Sequence, residues 1–446
     1  MTVRPSTPAA ALDPVPAAVD SAPAPSTALS VPRRHFAKRH RPRGFVRHLV
    51  RQLLPVGATF ARIAFERNSD MRVQRLRNAL SDRREQRRKP TRPRMRALRV
   101  AAGGRIGWRD VAAPPLPGPD GAIVHPIAVA TCDLDRLLAL GGTPFLLPLH
   151  FGHECVAEVV EVGERVTTVR AGQRVVVPFQ ISCGSCPPCR SGRTGNCVSV
   201  PPVSMYGFGV GGGHWGGAVS DQLAVPYADA MLVPLPGGIE PAAAASVADN
   251  VCDGYRHVAP YVPALLDSDP DASVLILAAL RRGHPFSASI TLYAGLVARA
   301  LGVREIHLVD SRREVREHAA RLGLIAHAPR ELRRLPLFPL VMDATVTPAG
   351  LRSALRHTAP DGVCSSAGSL HRTARIPTAL MYARNVTYHV SRTHARTVIP
   401  QVLALMTQGT LSPELVTTDL YSVDEAPTAI KRHVLGEATK TVLIES

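Results

Sequence analysis

Four cysteines, Cys183, Cys186, Cys189 and Cys197, fall in one short stretch in the pattern C-x-x-C-x-x-C-x-x-x-x-x-x-x-C. Four thiolates at such spacing can close a tetrahedral shell around one Zn²⁺. Around them lie Gly184, Ser185, Pro187, Pro188, Gly192 and Gly195, a loop with no hydrophobic face of its own. Packing cannot order a loop of that composition, and a metal can. The spacing suits one metal cage better than two separate disulfide bridges. Three further groups of ligand type stand elsewhere: Cys132 in ATCDLD, His153 in Gly152-His153-Glu154, and Asp249 in ADNVCDGY. Taken singly, a lone Cys or His is more often structural than ligating.

The chain has 446 residues, 45% of them hydrophobic, enough for two domains of ordinary size. From Met95 onward, short apolar runs broken by Gly, Pro and Asp read as β-strands, and CVAEVVEVG, QRVVVPF and DQLAVPY continue them. These strands make a small barrel or sandwich that carries the cysteine loop as an excursion. Beyond about residue 250 the pattern changes to alternating strands and helices. SVLILA (273–278), EIHLVD (305–310), PLVMDA (339–344) and GVCSSAG (362–368) read as strands, with helices over 289–302 and 312–323. Such alternation implies a parallel sheet covered by helices on both faces. After about residue 386 mixed strand and helix return.

The net charge of +18 belongs mostly to the head: residues 1–94 hold 21 of the 53 Lys and Arg but 6 of the 35 Asp and Glu. Residues 1–32 are rich in Pro, Ala and Ser, a composition of disorder. Residues 44–66 form a basic amphipathic stretch interrupted at Pro55. The basic head could tether the chain to nucleic acid or an anionic membrane, but no folded nucleic-acid motif accompanies this charge, so it reads rather as a solvated tail or as upstream sequence ahead of Met95, and no specific nucleic-acid or membrane partner is expected. Arg33-Arg34 faintly resembles a twin-arginine export signal, but a basic run and no apolar core follows it. No run reaches the roughly 18 apolar residues that span a bilayer. Unpaired ligand-type thiols then point to a reducing cytoplasm.

From Met95 on, the chain resembles the zinc-dependent medium-chain alcohol dehydrogenases. The cysteine loop matches that family's structural zinc lobe. Gly152-His153-Glu154 matches the motif that supplies the catalytic-zinc histidine and its neighbouring glutamate. Cys132 and Asp249 stand where the first and third catalytic ligands stand, and Gly216-Gly217-Ala218 matches a segment before another barrel strand. The resemblance implies an α/β protein: a GroES-like β-barrel catalytic domain plus a Rossmann-type doubly wound parallel sheet. The implied division is a head over 1–94, the catalytic domain over 95–250, the dinucleotide-binding domain over 251–385, and a return segment over 386–446. It also implies about two Zn²⁺ per chain, one of them held by Cys132, His153 and Asp249 with a position open for substrate oxygen. Asp135 then occupies the place of a carboxylate that accepts the free N–H of His153.

The implied reaction moves a hydride between an alcohol (secondary alcohol, polyol or amino alcohol) and NAD, the product being an aldehyde or ketone, in a homodimer or homotetramer. Two departures stand against it. Leu134 replaces a Ser or Thr that starts the family's proton relay. The loop from Ala278 to Thr291 replaces the glycine fingerprint that admits a pyrophosphate, and is about eight residues longer than that template. Arg281 and Arg282 are the expected phosphate partners there, or an exposed basic loop. Asp310 ends the second strand where an acid binds the adenosine ribose, which favours NAD over NADP; it reads equally as a cap of the next helix. These departures keep a second reading open, a zinc-binding family member that has lost nicotinamide turnover and acts as a binding or scaffold protein. Trp215, Phe145 and Leu146-Leu147 line the substrate pocket or belong to the core.

Overall fold

A computed structural model describes residues 93–101, 104–141, 143, 145, 147–209, 215–367 and 374–445, so the expectations for the head up to residue 92, and for Leu146, lie outside it. The strands of the barrel part are β1 (Arg94–Ala101), β2 (Arg105–Ala112), β3 (Ala122–Ala130), β4 (Leu149–His150), β5 (Glu154–Val162), β6 (Arg174–Val177), β7 (Leu223–Val225) and β8 (Val233–Pro234). The second part holds β9 (Val274–Ala279), β10 (Ile306–Asp310), β11 (Ile325–His327), β12 (Phe338–Asp343), β13 (Thr358–Ser366) and β14 (Thr387–Val390). Two strands from the end of the chain, β15 (Asp419–Ser422) and β16 (Thr441–Ile444), return to the barrel. Four helices matter for the site: α1 (Asp135–Ala139), α2 (Asn250–Val258), α3 (Ser289–Ala300) and α4 (Ala395–Thr407).

The six strands of the second part pair in parallel, in the order β11-β10-β9-β12-β13-β14. All six residues of β9 are buried. Val274 and Ile276 face one apolar cluster together with α3, and Leu275 and Leu277 face another with Leu351 and Leu355. A strand covered on both faces has no polar side to show, which is why SVLILA reads as an unbroken apolar run. One boundary differs from expectation. The turn at Asn385, whose φ of 52° lies in the left-handed region, delivers the chain into β14, so the parallel sheet ends after Val390 and not at 385.

The barrel sheet runs β15-β16-β3-β5-β6-β8, with β7 also on β3. Its middle strands position the chemistry. Antiparallel pairing sets Ala130 of β3 opposite Glu154 of β5 and opposite Val442 of β16. The residues just beyond the end of β3 (Thr131, Cys132), just before and at the start of β5 (His153, Glu154) and just before β16 (Lys440) therefore meet at one edge. Gly152 delivers His153 there: its φ is 93°, and a Cβ would stand 2.8 Å from Val219 Cγ2. The helices α2 and α3 cross at Gly254, where a Cβ would stand 2.8 Å from the Ala294 backbone nitrogen. That close crossing brings the start of α2, with Asp249 and Asn250, beside the start of α3. Among the described residues no helix is long and apolar enough to cross a membrane.

Candidate metal centre and cofactor cleft

Ligand atoms of Cys132, His153, Glu154 and Asp249 all lie within 4.8 Å of one another, and all four residues are buried. Cys132 Sγ and His153 Nε2 each stand 3.4 Å from Asp249 Oδ2. Neither ring nitrogen of His153 has a hydrogen-bond partner, and neither does Glu154 Oε1. Buried polar atoms are nearly always satisfied, so orphaned ones converging on a point ask for a group the chain does not itself contain. Burial pushes the Cys132 thiol well above its ordinary value, and Asp249 and Glu154 push it further. A thiolate in that acidic pocket needs a cation. Sulfur, imidazole and carboxylate are a zinc donor set, and these residues fit it.

The neighbours hold the ligands in place. Asn250 Nδ2 donates to Cys132 Sγ at 3.3 Å and to Asp249 Oδ2 at 3.1 Å. The Leu134 backbone N–H also donates to Cys132 Sγ, at 3.4 Å. Asp135 Oδ2 accepts the Cys132 N–H at 2.7 Å, while its Oδ1 stands 3.8 Å from His153 Nδ1, facing it but beyond hydrogen-bond range. Lys440, which the sequence reading missed, is buried with its Nζ 2.7 Å from Glu154 Oε2 and 2.9 Å from Asn250 Oδ1, and bonded to Thr131 O. Burial opposes its charge, but Glu154, with Tyr293 and Cys132, outweighs burial and lifts its pKa above the usual amine value. Three aromatic rings flank the site: Phe208 at 4.8 Å and Phe179 at 5.9 Å from His153, with Phe145 edge-on to Phe208. Trp215 packs against the core.

The cysteine loop is the second cluster. One ligand atom from each of Cys183, Cys186, Cys189 and Cys197 lies within 4.8 Å of the others, and all four are free thiols. Against the effect of burial, hydrogen bonds from Ser185 and Ser199 pull the Cys183 thiol down to about 5, while burial pushes Cys189 up to about 12. A divalent cation that all four thiolates share would offset this. The lobe is tied to the start of α4 and the segment before it: Thr397 Oγ1 donates to Gly192 O at 2.7 Å, and Arg392 Nη2 to Gly195 O at 3.1 Å.

The expected cofactor residues are placed as follows. Arg281 and Arg282 are exposed on the loop between β9 and α3. Thr291 is buried, its hydroxyl donating back to Ala288 O at 2.8 Å. Asp310 is buried, and both its carboxylate oxygens are taken by Arg312, from Nε at 3.0 Å and Nη2 at 2.6 Å. At the start of α3 the backbone N–H groups of Ser289 and Ile290 donate to Asp133 Oδ1 and Oδ2 at 3.1 and 3.2 Å. That helix end is thus an anion position, the feature a pyrophosphate needs, and here a carboxylate stands in for the phosphate. Asp133 had no role in the sequence reading, and Arg312 entered it only as a cation next to Asp310 that weakens the preference for NAD. Asp133 looks like any loop acid beside Cys132, and only the fold brings it to a helix end 156 residues away.

Known proteins resemble this chain in sequence and in fold. Residues 118–237 match the family model described as the alcohol dehydrogenase GroES-like domain. A probable zinc-binding alcohol dehydrogenase of Mycobacterium tuberculosis is 29% identical over 341 residues, covering 74% of this chain and 83% of that one. The solved alcohol dehydrogenase from Thermus sp. ATN1 is 28% identical with a TM-score of 0.70, covering 79% of this chain and all of that one. A short chain alcohol dehydrogenase of Escherichia coli, complexed with NADH, shares the fold at 20% identity and a TM-score of 0.66, covering 79% of this chain and 99% of that one.

Proposed function

The chain belongs to the zinc-dependent medium-chain alcohol dehydrogenases, and from that membership we propose that it oxidises a small alcohol, or reduces the matching aldehyde or ketone, with a nicotinamide dinucleotide as hydride partner. The observation that carries the reading is the convergence of Cys132, His153 and Asp249 on one buried point, with both nitrogens of His153 unpartnered. Cys132, His153 and Asp249 would hold zinc, which would act as a Lewis acid on a substrate oxygen, and a nicotinamide would supply the hydride acceptor that no side chain offers.

The chain's own residues set up that chemistry. Asn250 fixes the direction of the Cys132 sulfur and of the Asp249 carboxylate by donating to both. Asp135 Oδ1 faces His153 Nδ1 from 3.8 Å, and a closer approach on metal binding would let it accept the proton of that nitrogen while Nε2 turns toward Asp249. Lys440 holds Glu154 at the edge of the ligand set. Phe145, Phe179 and Phe208 keep water from the buried site and favour an alcohol with an apolar carbon chain over a polyol. Leu134 has no hydroxyl, so no proton relay starts at that position.

The test is a panel of apolar alcohols and polyols with NAD⁺ and NADP⁺, read by nicotinamide absorbance, on the zinc-loaded protein and on His153→Ala. Turnover of at least one apolar alcohol by the wild type, and none by the variant, is expected. No turnover with any pair, or equal turnover in the variant, contradicts the reading.

A further inference from the structure

The anion position at the start of α3 is filled from within the chain. Besides the two backbone N–H groups, the hydroxyls of Ser287 and Ser289 point at Asp133 Oδ1. The Asp133 carboxylate is buried. It therefore sits among converging donors, at the end of a helix whose dipole favours negative charge. The loop that leads into α3 is fastened over it. Arg312 Nη1 donates to Phe286 O at 2.9 Å while the rest of its guanidinium grips Asp310. His284 Nε2 lies 3.3 Å from Thr345 O, beyond the end of β12.

A dinucleotide pyrophosphate uses the same N–H groups at the start of the helix after the first strand of the sheet. It carries two negative charges, and it cannot share those donors with a buried carboxylate, because like charges at contact repel strongly. We infer that Asp133 determines how tightly this chain takes a dinucleotide, acting as a built-in competitor that must leave the start of α3 before a pyrophosphate can enter. This inference rests on the dinucleotide-dependent reading of the site. Asp133 adjoins Cys132, so its withdrawal couples cofactor entry to the backbone of a metal ligand. Arg312 also donates to both carboxylate oxygens of Asp310, which sets a guanidinium beside the acid expected to favour NAD over NADP.

Calorimetric titration of the full-length, zinc-loaded protein tests this, with NAD⁺ (or NADP⁺) and inorganic pyrophosphate as probes. Asp133→Asn keeps the shape and removes the charge, and is expected to bind both probes roughly tenfold more tightly, or better, than the wild type. Ser287→Ala removes one donor that holds Asp133 and leaves the α3 N–H groups intact. It is expected to tighten both probes by a smaller factor, and it serves if the first variant does not fold. Equal or weaker binding of the probes by the variants overturns the inference. If the wild type binds NAD⁺ and the variants bind it no better, the inference fails and the dinucleotide-dependent reading stands. If no form binds NAD⁺ or NADP⁺, both fail. If the variants alone bind NAD⁺, the inference holds and the wild-type chain is held closed by Asp133.

Discussion

Single residues divide sharply between those legible in the sequence and those that only the fold reveals. The cysteine loop announces itself, because four thiols in a Gly- and Pro-rich stretch have one good explanation. His153, Glu154 and Cys132 were found through the motifs around them. Lys440 was not, since a lysine between two threonines near the end of the chain reads as solvated strand edge, and lysine is rarely buried without a partner. Its partner, Glu154, lies 286 residues away. Lys440→Met should therefore cost about 3–5 kcal/mol of stability, because it leaves the Glu154 carboxylate buried and unpaired. Lys440→Met with Glu154→Gln should recover most of that loss, and denaturant unfolding of the three forms measures it. An equal loss in the double variant would mean that packing of the lysine stem, not the ion pair, is what matters. Cys186→Ser should lower the melting temperature by loosening the lobe that docks on α4, whereas His153→Ala should leave it little changed.

At the scale of elements, runs buried on both faces were the easiest to read. The strand β9 and the helix α3 lie within a residue or two of their expected bounds. The loop between them was read as a damaged glycine fingerprint, and its extra length looked like a defect. The structure gives that length a use, since Phe286 and Ser287 reach Arg312 and Asp133. Nothing local predicted it, because both partners come from distant segments. The crossing of α2 and α3 carries a test of its own. Gly254→Ala puts a methyl 2.8 Å from the Ala294 nitrogen, and should destabilise by about 1–3 kcal/mol as the helices are forced apart.

In α2, His257 is buried with Nδ1 2.7 Å from Ser365 Oγ, and burial, aided by Arg256 and His389, holds its pKa well below 6.5. Well above pH 6.5 the ring is neutral in both folded and unfolded chains and contributes no pH dependence. Below it the unfolded chain takes up a proton that the folded chain refuses, so stability falls with falling pH, by at most about 1.4 kcal/mol per unit. His257→Gln should flatten that part of the acid stability profile; an unchanged slope would assign it to other groups.

For the molecule as a whole, the class of fold was legible and its seams were not. The alternation of strands and helices gave the parallel sheet, and the family resemblance gave the barrel. The exact exit at Val390 depends on one left-handed residue, Asn385, which no periodicity marks. The amino-terminal seam is equally fine: Pro93 O accepts the Ala113 N–H, and β1 begins at Arg94. Relative to a chain beginning at Pro93, one beginning at Met95 should lose a little of its melting temperature, because the Pro93 O to Ala113 N–H bond goes with it. The central claim is that the molecule carries two zinc centres of different kind, one that orders a loop and one that binds substrate. Elemental analysis of protein purified without chelator tests it most directly. The account requires about two zinc ions per chain in the wild type, and about one each in His153→Ala and in Cys186→Ser. A wild type with one zinc or none, or a His153→Ala protein that still holds two, would contradict it.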